Sequence, residues 1–245
     1  MDLLFEQIVT VAAEDVTTSG KLKLSSLLRY AQEASGGHCD ILGFDWDTLA
    51  AKGLFWAVLR HRVEIHRLPI AGETVTVQTW PMPATRSAYP RAVRGLDSSG
   101  NILFEVVSLW VLMNIASRAM ILPGKSGVDV PGILRGDEIA APGSLAPGNY
   151  DNSVHWHISD DDLDRNGHVN NAKYFDHVEA LTGSFADTHS PRELTVCYLS
   201  ETLPGQTVQL HWNLSEDGIL SVDGRREKTD VPGETERVFA VRIGY

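Results

Sequence analysis

The chain says the same thing twice. DVTTSGKL (Asp15 to Leu22) precedes an apolar stripe at Leu24, Leu27, Leu28, Ala31 and Ala34. DLDRNGHV (Asp162 to Val169) precedes Tyr174, Val178, Leu181 and Phe185, with Gly20 and Gly167 in register. Both stripes have the spacing of a helix with one buried face. Gly36 and Gly37 are expected to end the first helix. Further on, AGETVTVQTW (71–80) is echoed by PGQTVQLHWN (204–213), each a glycine turn followed by alternating β-branched and polar residues. Other strand-like runs are 54–67, 87–97 and 102–114, then 192–200, 219–229 and 234–243. SSGN (98–101) and DVPG (230–233) read as the hairpin turns that join the last two strands of each half. Each half is thus a strand, a long helix and a run of antiparallel strands. A single amphipathic helix can bury its stripe only if its own sheet curls around it. The expected class is α+β, in two pseudo-symmetric units.

Between the halves, residues 123–148 hold ten Gly or Pro in 26 positions. Such a stretch cannot be periodic and reads as a linker. The expected division is a first domain at 1–122, a linker at 123–149 and a second domain at 150–245. With 245 residues, 43% of them hydrophobic, the chain can bury a core in each.

The net charge of −11 argues against nucleic acid as a partner, because phosphate binding needs clustered Lys and Arg. Cys39 and Cys197 fit neither a zinc motif nor a disulfide scaffold, and free thiols suit a reducing cytosol. MDLLFEQIVTV lacks a basic and then apolar leader. No run approaches the ~18 apolar residues of a membrane span. A cytoplasmic protein is expected.

The chemistry concentrates in DLDRNGHVNNAKYF (Asp162 to Phe175). Asp164, Asn166 and His168 are spaced i, i+2, i+4, so in extended backbone they share one face. Either Asn170 or Asn171 can cap the helix that follows, whose first N–H groups would favour negative charge nearby. An Asp/Asn/Gly-rich stretch before a helix is usually only a capped loop. Here the twin half carries Thr17, Ser19 and Lys21 at the same register, so only one half holds the ionisable set. Glu201, at the end of the strand in TVCYLSETLPG, is a second such case, with Leu68 at its register in the first half.

Other features carry less. His155 and His157 share a strand face but lack a third fixed ligand, so a metal is not expected. Cys197 reads as a small core residue among strand hydrophobes, although a nucleophile role with His168 is conceivable on residue type. Phe55 and Trp56 read as core. Arg60, Arg62, Arg67, Arg86, Arg91 and Arg94 read as a solvated strand face that stands out in an acidic chain.

Nearly the whole chain resembles the acyl-[acyl carrier protein] thioesterases of plant plastids and bacteria. GLFWAVLRHRVEIHRLPIAGETVTVQTW and EVVSLWVLMNIASRAM resemble the strands of the family's first domain. DLDRNGHVNNAKY resembles its D-x-N-x-H-V-N-N segment, and LTVCYLSETLPGQ its strand ending in a glutamate. The resemblance implies a double hotdog fold, a long helix wrapped by a curved antiparallel sheet, twice in one chain. It also implies hydrolysis of fatty acyl thioesters on acyl carrier protein in fatty acid biosynthesis, with Asp164, Asn166, His168 and Glu201 as the catalytic set. Family members often carry a cysteine directly after the glutamate. Here that residue is Thr202, so a covalent cysteine route at that position is closed.

On this reading Glu201 and His168 activate a water, with Glu201 as the proton acceptor, while Asn166 donates to the thioester oxygen or the water and Asp164 orients its neighbours. Neither metal nor organic cofactor is called for. Leu24, Leu27, Leu28 and Ala31 are candidates to line an acyl slot, making the first half the specificity domain. Acyl carrier protein is acidic, so it needs a local positive patch, for which Arg86, Arg91 and Arg94 are the candidates. A homodimer is left open, as are the rival readings of an acyl-CoA thioesterase, another hotdog enzyme or a non-catalytic acyl-binding protein.

Overall fold

The computed structural model describes residues 2–163, 167–228, 231 and 233–245, and divides at Pro142/Gly143 into two units. In the first unit the elements run β1 (Phe5–Thr10), α1 (Leu24–Leu42), α2 (Trp46–Ala50), β2 (Leu54–Ile65), β3 (Thr74–Pro81), β4 (Tyr89–Leu96), β5 (Ile102–Asn114), β6 (Met120–Ile121) and α3 (Pro123–Ser126). Its antiparallel sheet has the order β1-β3-β4-β5-β2, with β6 on β5. In the second unit β7 (Asn152–His157) is followed by α4 (Lys173–Ala180), α5 (Phe185–Thr188), β8 (Glu193–Tyr198), β9 (Thr207–Leu214), β10 (Ile219–Glu227) and β11 (Thr235–Gly244). Its antiparallel order is β7-β9-β10-β11-β8, the first unit's order element for element.

The duplication reaches into detail. Val16 bridges Leu22 around Gly20, and Leu163 bridges Val169 around Gly167; the two glycines have φ of 78° and 75°. The Lys23 N–H bonds the Asp15 carbonyl at 2.9 Å, and the Asn170 N–H bonds the Asp162 carbonyl at 2.8 Å. Each sheet also has a register shift beside a glycine, at Gly95/Leu96 and Gly224/Arg225. There the ring of Phe104 or Phe239 lies across the glycine opposite it, in the space that a Cβ would fill.

The stripe of α1 forms the core of the first unit. Leu24, Leu27, Leu28, Ala31 and Ala34 are all buried, and the helix packs on β1, β3 and β4. Gly36 and Gly37 do not end it. The helix runs through them to Gly43, whose φ of 77° lets its N–H bond the Asp40 carbonyl and the Phe44 N–H bond the Cys39 carbonyl. Gly37 faces the Phe5 ring, from which a Cβ would stand 3.4 Å, an ordinary packing distance.

The second stripe is shorter than its spacing predicts. Tyr174, Phe175 and Val178 are buried on α4, but the helix stops at Ala180. The Thr182 hydroxyl turns back to the Glu179 carbonyl at 2.8 Å and Gly183 takes φ 50°, so Phe185 starts a separate turn. SSGN forms its turn, with Asp97 N–H on the Asn101 carbonyl and Gly100 at φ 83°. DVPG includes positions outside the described residues.

The Gly/Pro-rich stretch has no long element, as its composition predicts, yet it is stitched down on both sides of the division. Towards the first unit, Ile133 N–H bonds the Pro81 carbonyl, Trp80 Nε1 donates to Glu138 Oε1 at 3.0 Å, and Arg94 Nη1 donates to Asp137 Oδ2 at 3.2 Å. In the second unit, Arg237 Nη1 reaches the Leu145 carbonyl at 3.2 Å and Arg225 Nη2 the Gly148 carbonyl at 3.4 Å. Both guanidiniums are neutralised by the fully buried Asp223, at 2.7 Å and 3.2 Å.

One buried group makes the first unit pH-sensitive. His61 is 5% exposed with Nδ1 2.7 Å from Ser108 Oγ, and burial pushes its pKa down to about 4. The unfolded chain binds a proton at His61 below its ordinary value of about 6.5, and the folded chain resists it until about 4. Stability from this site is therefore complete above that ordinary value and drains away as pH falls between the two, by roughly 3 kcal/mol in all. Urea unfolding at a series of pH values should show this slope, and His61→Gln should flatten it. An unchanged slope in the variant would assign the acid sensitivity elsewhere.

Candidate active site

The approach to α4 and the end of β8 meet in the second unit. Val169 N–H bonds the Thr202 carbonyl at 3.0 Å, which lays residue 168 alongside residue 201. His168 Nε2 then stands 3.5 Å from Glu201 Oε2, with the imidazole 16% exposed and the carboxylate 39% exposed. A half-open acid this close to a mostly enclosed imidazole leaves both within reach of one water. Asp164 and Asn166, the other two members of the expected set, lie outside the described residues.

The floor beneath this pair is aromatic and hydrogen-bonded. The Tyr174 hydroxyl donates to Thr202 Oγ1 at 2.9 Å, and the Tyr198 hydroxyl donates to the Asn171 carbonyl at 3.1 Å. Burial raises the Tyr174 phenol to about 12 and the Tyr198 phenol well above its ordinary value, so both stay protonated donors. Tyr174 also packs edge-on against Tyr198, Phe239 and Trp156. Thr202, at the position where the family often has a cysteine, is 1% exposed and serves as a tie between the Glu201 loop and α4.

Neither asparagine is the N-cap of α4: Ala172 holds that place with no side-chain cap bond, and Asn170 forms the turn before it, its Oδ1 accepting the Ala172 N–H at 3.0 Å and its carbonyl accepting the Lys173 N–H at 2.9 Å. Those two donors are thereby satisfied within the chain and do not face a reacting oxygen. Upstream, Asp162 Oδ2 accepts from the Ser159 N–H and hydroxyl at 2.9 Å and 3.0 Å, fixing the single turn Asp160–Asp162 that launches the loop. In the twin half Leu68, at the register of Glu201, is buried, and the hydroxyls of Thr17 and Ser19 bond each other at 2.8 Å.

Cys197 is buried on β8, its Sγ 3.6 Å from the Gly143 carbonyl. The strand ends at Tyr198, so alternation does not carry from Cys197 to Glu201. His157 Nδ1 lies 2.8 Å from Thr207 Oγ1, while His155 lines a cleft of about 420 Å³ with Trp156, His177 and Trp212.

One expectation for the first unit needs correction. Arg91 and Arg94 do not form a solvent-facing patch; they are 5% and 6% exposed. Arg91 Nη1 donates to Thr79 Oγ1 at 3.2 Å and lies 3.1 Å from His38 Nδ1, and Arg94 pairs with Glu105 at 2.8 Å and with Asp137. For these two the face is an interior one, because β4 is buried along nearly its whole length. Arg86 alone of the three is exposed. Leu24, Leu27, Leu28 and Ala31 are equally enclosed, each at most 4% exposed.

A residue that sequence reasoning does not connect with the hydrolytic site is Arg226 on β10. Its guanidinium reaches Ser200, Glu201 and Gln206 across the loop that carries the acid. Nothing in the run GRREK distinguishes it; only the pairing of Arg226 with Glu236 across β10 and β11 turns the side chain towards that loop.

Comparison with known proteins bears on the family and the fold. The family model described as acyl-ACP thioesterase N-terminal domain matches residues 2–122, and that of the acyl-ACP thioesterase C-terminal domain matches residues 148–236. A palmitoyl-acyl carrier protein thioesterase of Gossypium hirsutum is 27% identical over 215 residues, covering 81% of this chain and 52% of that protein. The chain spans about half the length of the curated relatives it matches. Among solved structures, an acyl-ACP thioesterase from Bacteroides thetaiotaomicron superposes with a TM-score of 0.81 at 21% identity, covering 98% of this chain and 97% of that one. The 12:0-ACP thioesterase from Umbellularia californica gives 0.82 at 23% identity, covering 100% and 97%. At these identities the structures speak for the fold, the double hotdog. With both domain models matched in order along one duplicated fold, the chain belongs to the acyl-ACP thioesterase family.

Proposed function

We propose that the chain hydrolyses fatty acyl thioesters carried on acyl carrier protein, releasing free fatty acid in fatty acid biosynthesis in the cytoplasm. The observation that carries the reading is the approach of His168 Nε2 to Glu201 Oε2 at 3.5 Å, in the one half that has an imidazole and a carboxylate at these positions. Glu201, helped by His168, takes a proton from water as the water oxygen adds to the thioester carbon. Asn166 donates to the developing oxyanion and Asp164 orients Asn166 or His168. The tetrahedral intermediate then collapses, the C–S bond breaks, and the departing thiolate recovers the proton. A thiolate leaves readily, so the scheme needs no metal.

We assign chain-length selection to the first unit. The face of α1 is closed against its sheet, so an acyl chain entering there has to displace packed side chains, and the size of Leu24, Leu27, Leu28 and Ala31 then sets how much chain fits. Arg86, the exposed one of the three candidate arginines, is the candidate contact for the acidic carrier. No described helix is long and apolar enough to cross a membrane. Assaying matched acyl chains on carrier protein and on coenzyme A side by side tests the reading. Faster release from the carrier protein supports it; release from coenzyme A alone points to an acyl-CoA thioesterase, and release from neither to an acyl-binding protein.

Because water is the attacking group, Cys197→Ser should keep most of the wild-type rate. A folded Cys197→Ser protein without turnover, or an acyl adduct trapped on Cys197, would instead favour a covalent route.

A further inference from the structure

We infer that Arg226 is a positioning residue for the hydrolytic site, setting where the Glu201 carboxylate stands through the backbone of the loop that carries it. The inference rests on the assignment of Glu201 as the proton acceptor.

Glu201 lies outside the ladder. β8 ends at Tyr198 and β9 starts at Thr207, leaving an irregular span of eight positions, 199–206, with Leu199 and Leu203 exposed at 48% and 42%. β11 holds the span up to the residue before the acid, where the Leu199 and Ser200 N–H groups both bond the Val238 carbonyl, at 2.9 Å and 3.1 Å. Arg226 adds a hold on the acid's own backbone from β10. Its Nη1 donates to the Glu201 carbonyl and, at 2.7 Å, to Gln206 Oε1. Its Nη2 donates to Ser200 Oγ at 2.9 Å. Gln206 Oε1 in turn accepts the Leu203 N–H at 2.9 Å, so the guanidinium grips the chain before, at and after the acid.

The guanidinium is itself held. Its Nε donates to Glu236 Oε1 at 2.9 Å, Nη2 lies 2.8 Å from the same oxygen, and the side chain is 12% exposed. All three nitrogens are thus engaged, and the planar fork fixes their directions relative to one another. A lysine at this position would keep the charge and lose the fork. The arrangement therefore joins a strand pair, β10 and β11, to the irregular segment that carries the acid. The opposite side of the same loop is held by the Thr202 carbonyl and hydroxyl, bonded to Val169 and Tyr174. Arg226 and that tie bracket the acid from two directions. A displacement of about 1 Å in a reacting group is enough to cost on the order of 10²-fold in rate.

The test compares Arg226→Lys and Arg226→Ala in the full chain, alone and combined with Glu201→Gln. With an acyl-carrier-protein substrate, Arg226→Lys should lower kcat by roughly 10- to 100-fold with KM changed less than about threefold. Amide exchange across 199–206 should quicken in both variants while that of β10 and β11 stays slow. If Arg226 acts only through Glu201, adding Arg226→Lys to Glu201→Gln should cost little more than Glu201→Gln does alone. A folded Arg226→Lys protein with wild-type kcat and unchanged exchange in the loop overturns the inference. So does a double variant whose losses multiply in full, since that assigns Arg226 a separate role. Should the wild type release no fatty acid at all, the proposed function fails, and the exchange measurement still decides whether Arg226 orders the loop.

Discussion

Replacement of His168 by Ala is expected to lower hydrolysis of an acyl-carrier-protein substrate by at least about 10²-fold, the usual scale for a group that moves a proton in the transition state. The fold should survive the change. His168 follows Gly167 on an irregular segment, and the neighbouring Val169 makes the backbone bond to Thr202. The apolar core under α4 is built from Tyr174, Phe175 and Val178, none of which is touched by the substitution. Loss should fall on kcat, because the imidazole faces Glu201, the group assigned to take the proton from water. Steady-state kinetics with a parallel circular dichroism spectrum checks this. A folded variant that turns over at nearly the wild-type rate would remove His168 from the mechanism.

The second large effect is on stability. Asp223→Ala should destabilise the second unit by about 3 kcal/mol, the lower end of the range for breaking a buried ion pair from one side. The carboxylate is fully buried and sits between two guanidiniums that stay behind when it is removed. Both Arg225 Nε and Arg237 Nε already lack a protein partner, so no spare acceptor is at hand to take up the slack. The same arginines hold the carbonyls of Leu145, Ala146 and Gly148, so residues 143–149 should loosen together with the sheet. Denaturant unfolding read through Trp156 and Trp212 measures the change. A further substitution, Arg237→Ala on the Asp223→Ala background, should recover part of the loss by removing one stranded charge. A loss below about 0.5 kcal/mol for Asp223→Ala would show instead that water or a shifted side chain neutralises the arginines, as for an exposed pair.

Much of the architecture is legible in the sequence because duplication leaves a signal in periodicity. Two stripes at helical spacing, two glycine-led alternating strands and a Gly/Pro-rich stretch between them are enough to give two like units, and the strand orders match element for element. Helix ends are harder. Glycine ends a helix only where the chain turns left-handed, and α1 does so at Gly43 and not at Gly36 or Gly37. The break in α4 depends on a threonine hydroxyl turning back to a carbonyl, a contact that spacing does not register.

For the site, residue type and asymmetry between the halves single out His168 and Glu201, and the structure brings those two together. Burial of charge is where sequence reasoning fails. A run of arginines in a strand suggests a face towards water, but the long side chains of Arg91 and Arg94 are buried because acceptors meet them, here Thr79, Glu105 and Asp137. The tie of Arg226 to the site escapes notice because its partners come from another strand and from a loop remote in sequence.

The most direct test of the account is fatty acid release from an acyl-carrier-protein panel of graded chain length, measured for the wild type and for Glu201→Gln in parallel. The account predicts that the wild type releases free fatty acid with a defined chain-length preference, and that Glu201→Gln is at least about 10²-fold slower at every length. Equal rates for the two proteins, or no release by the wild type from any member of the panel, would contradict it.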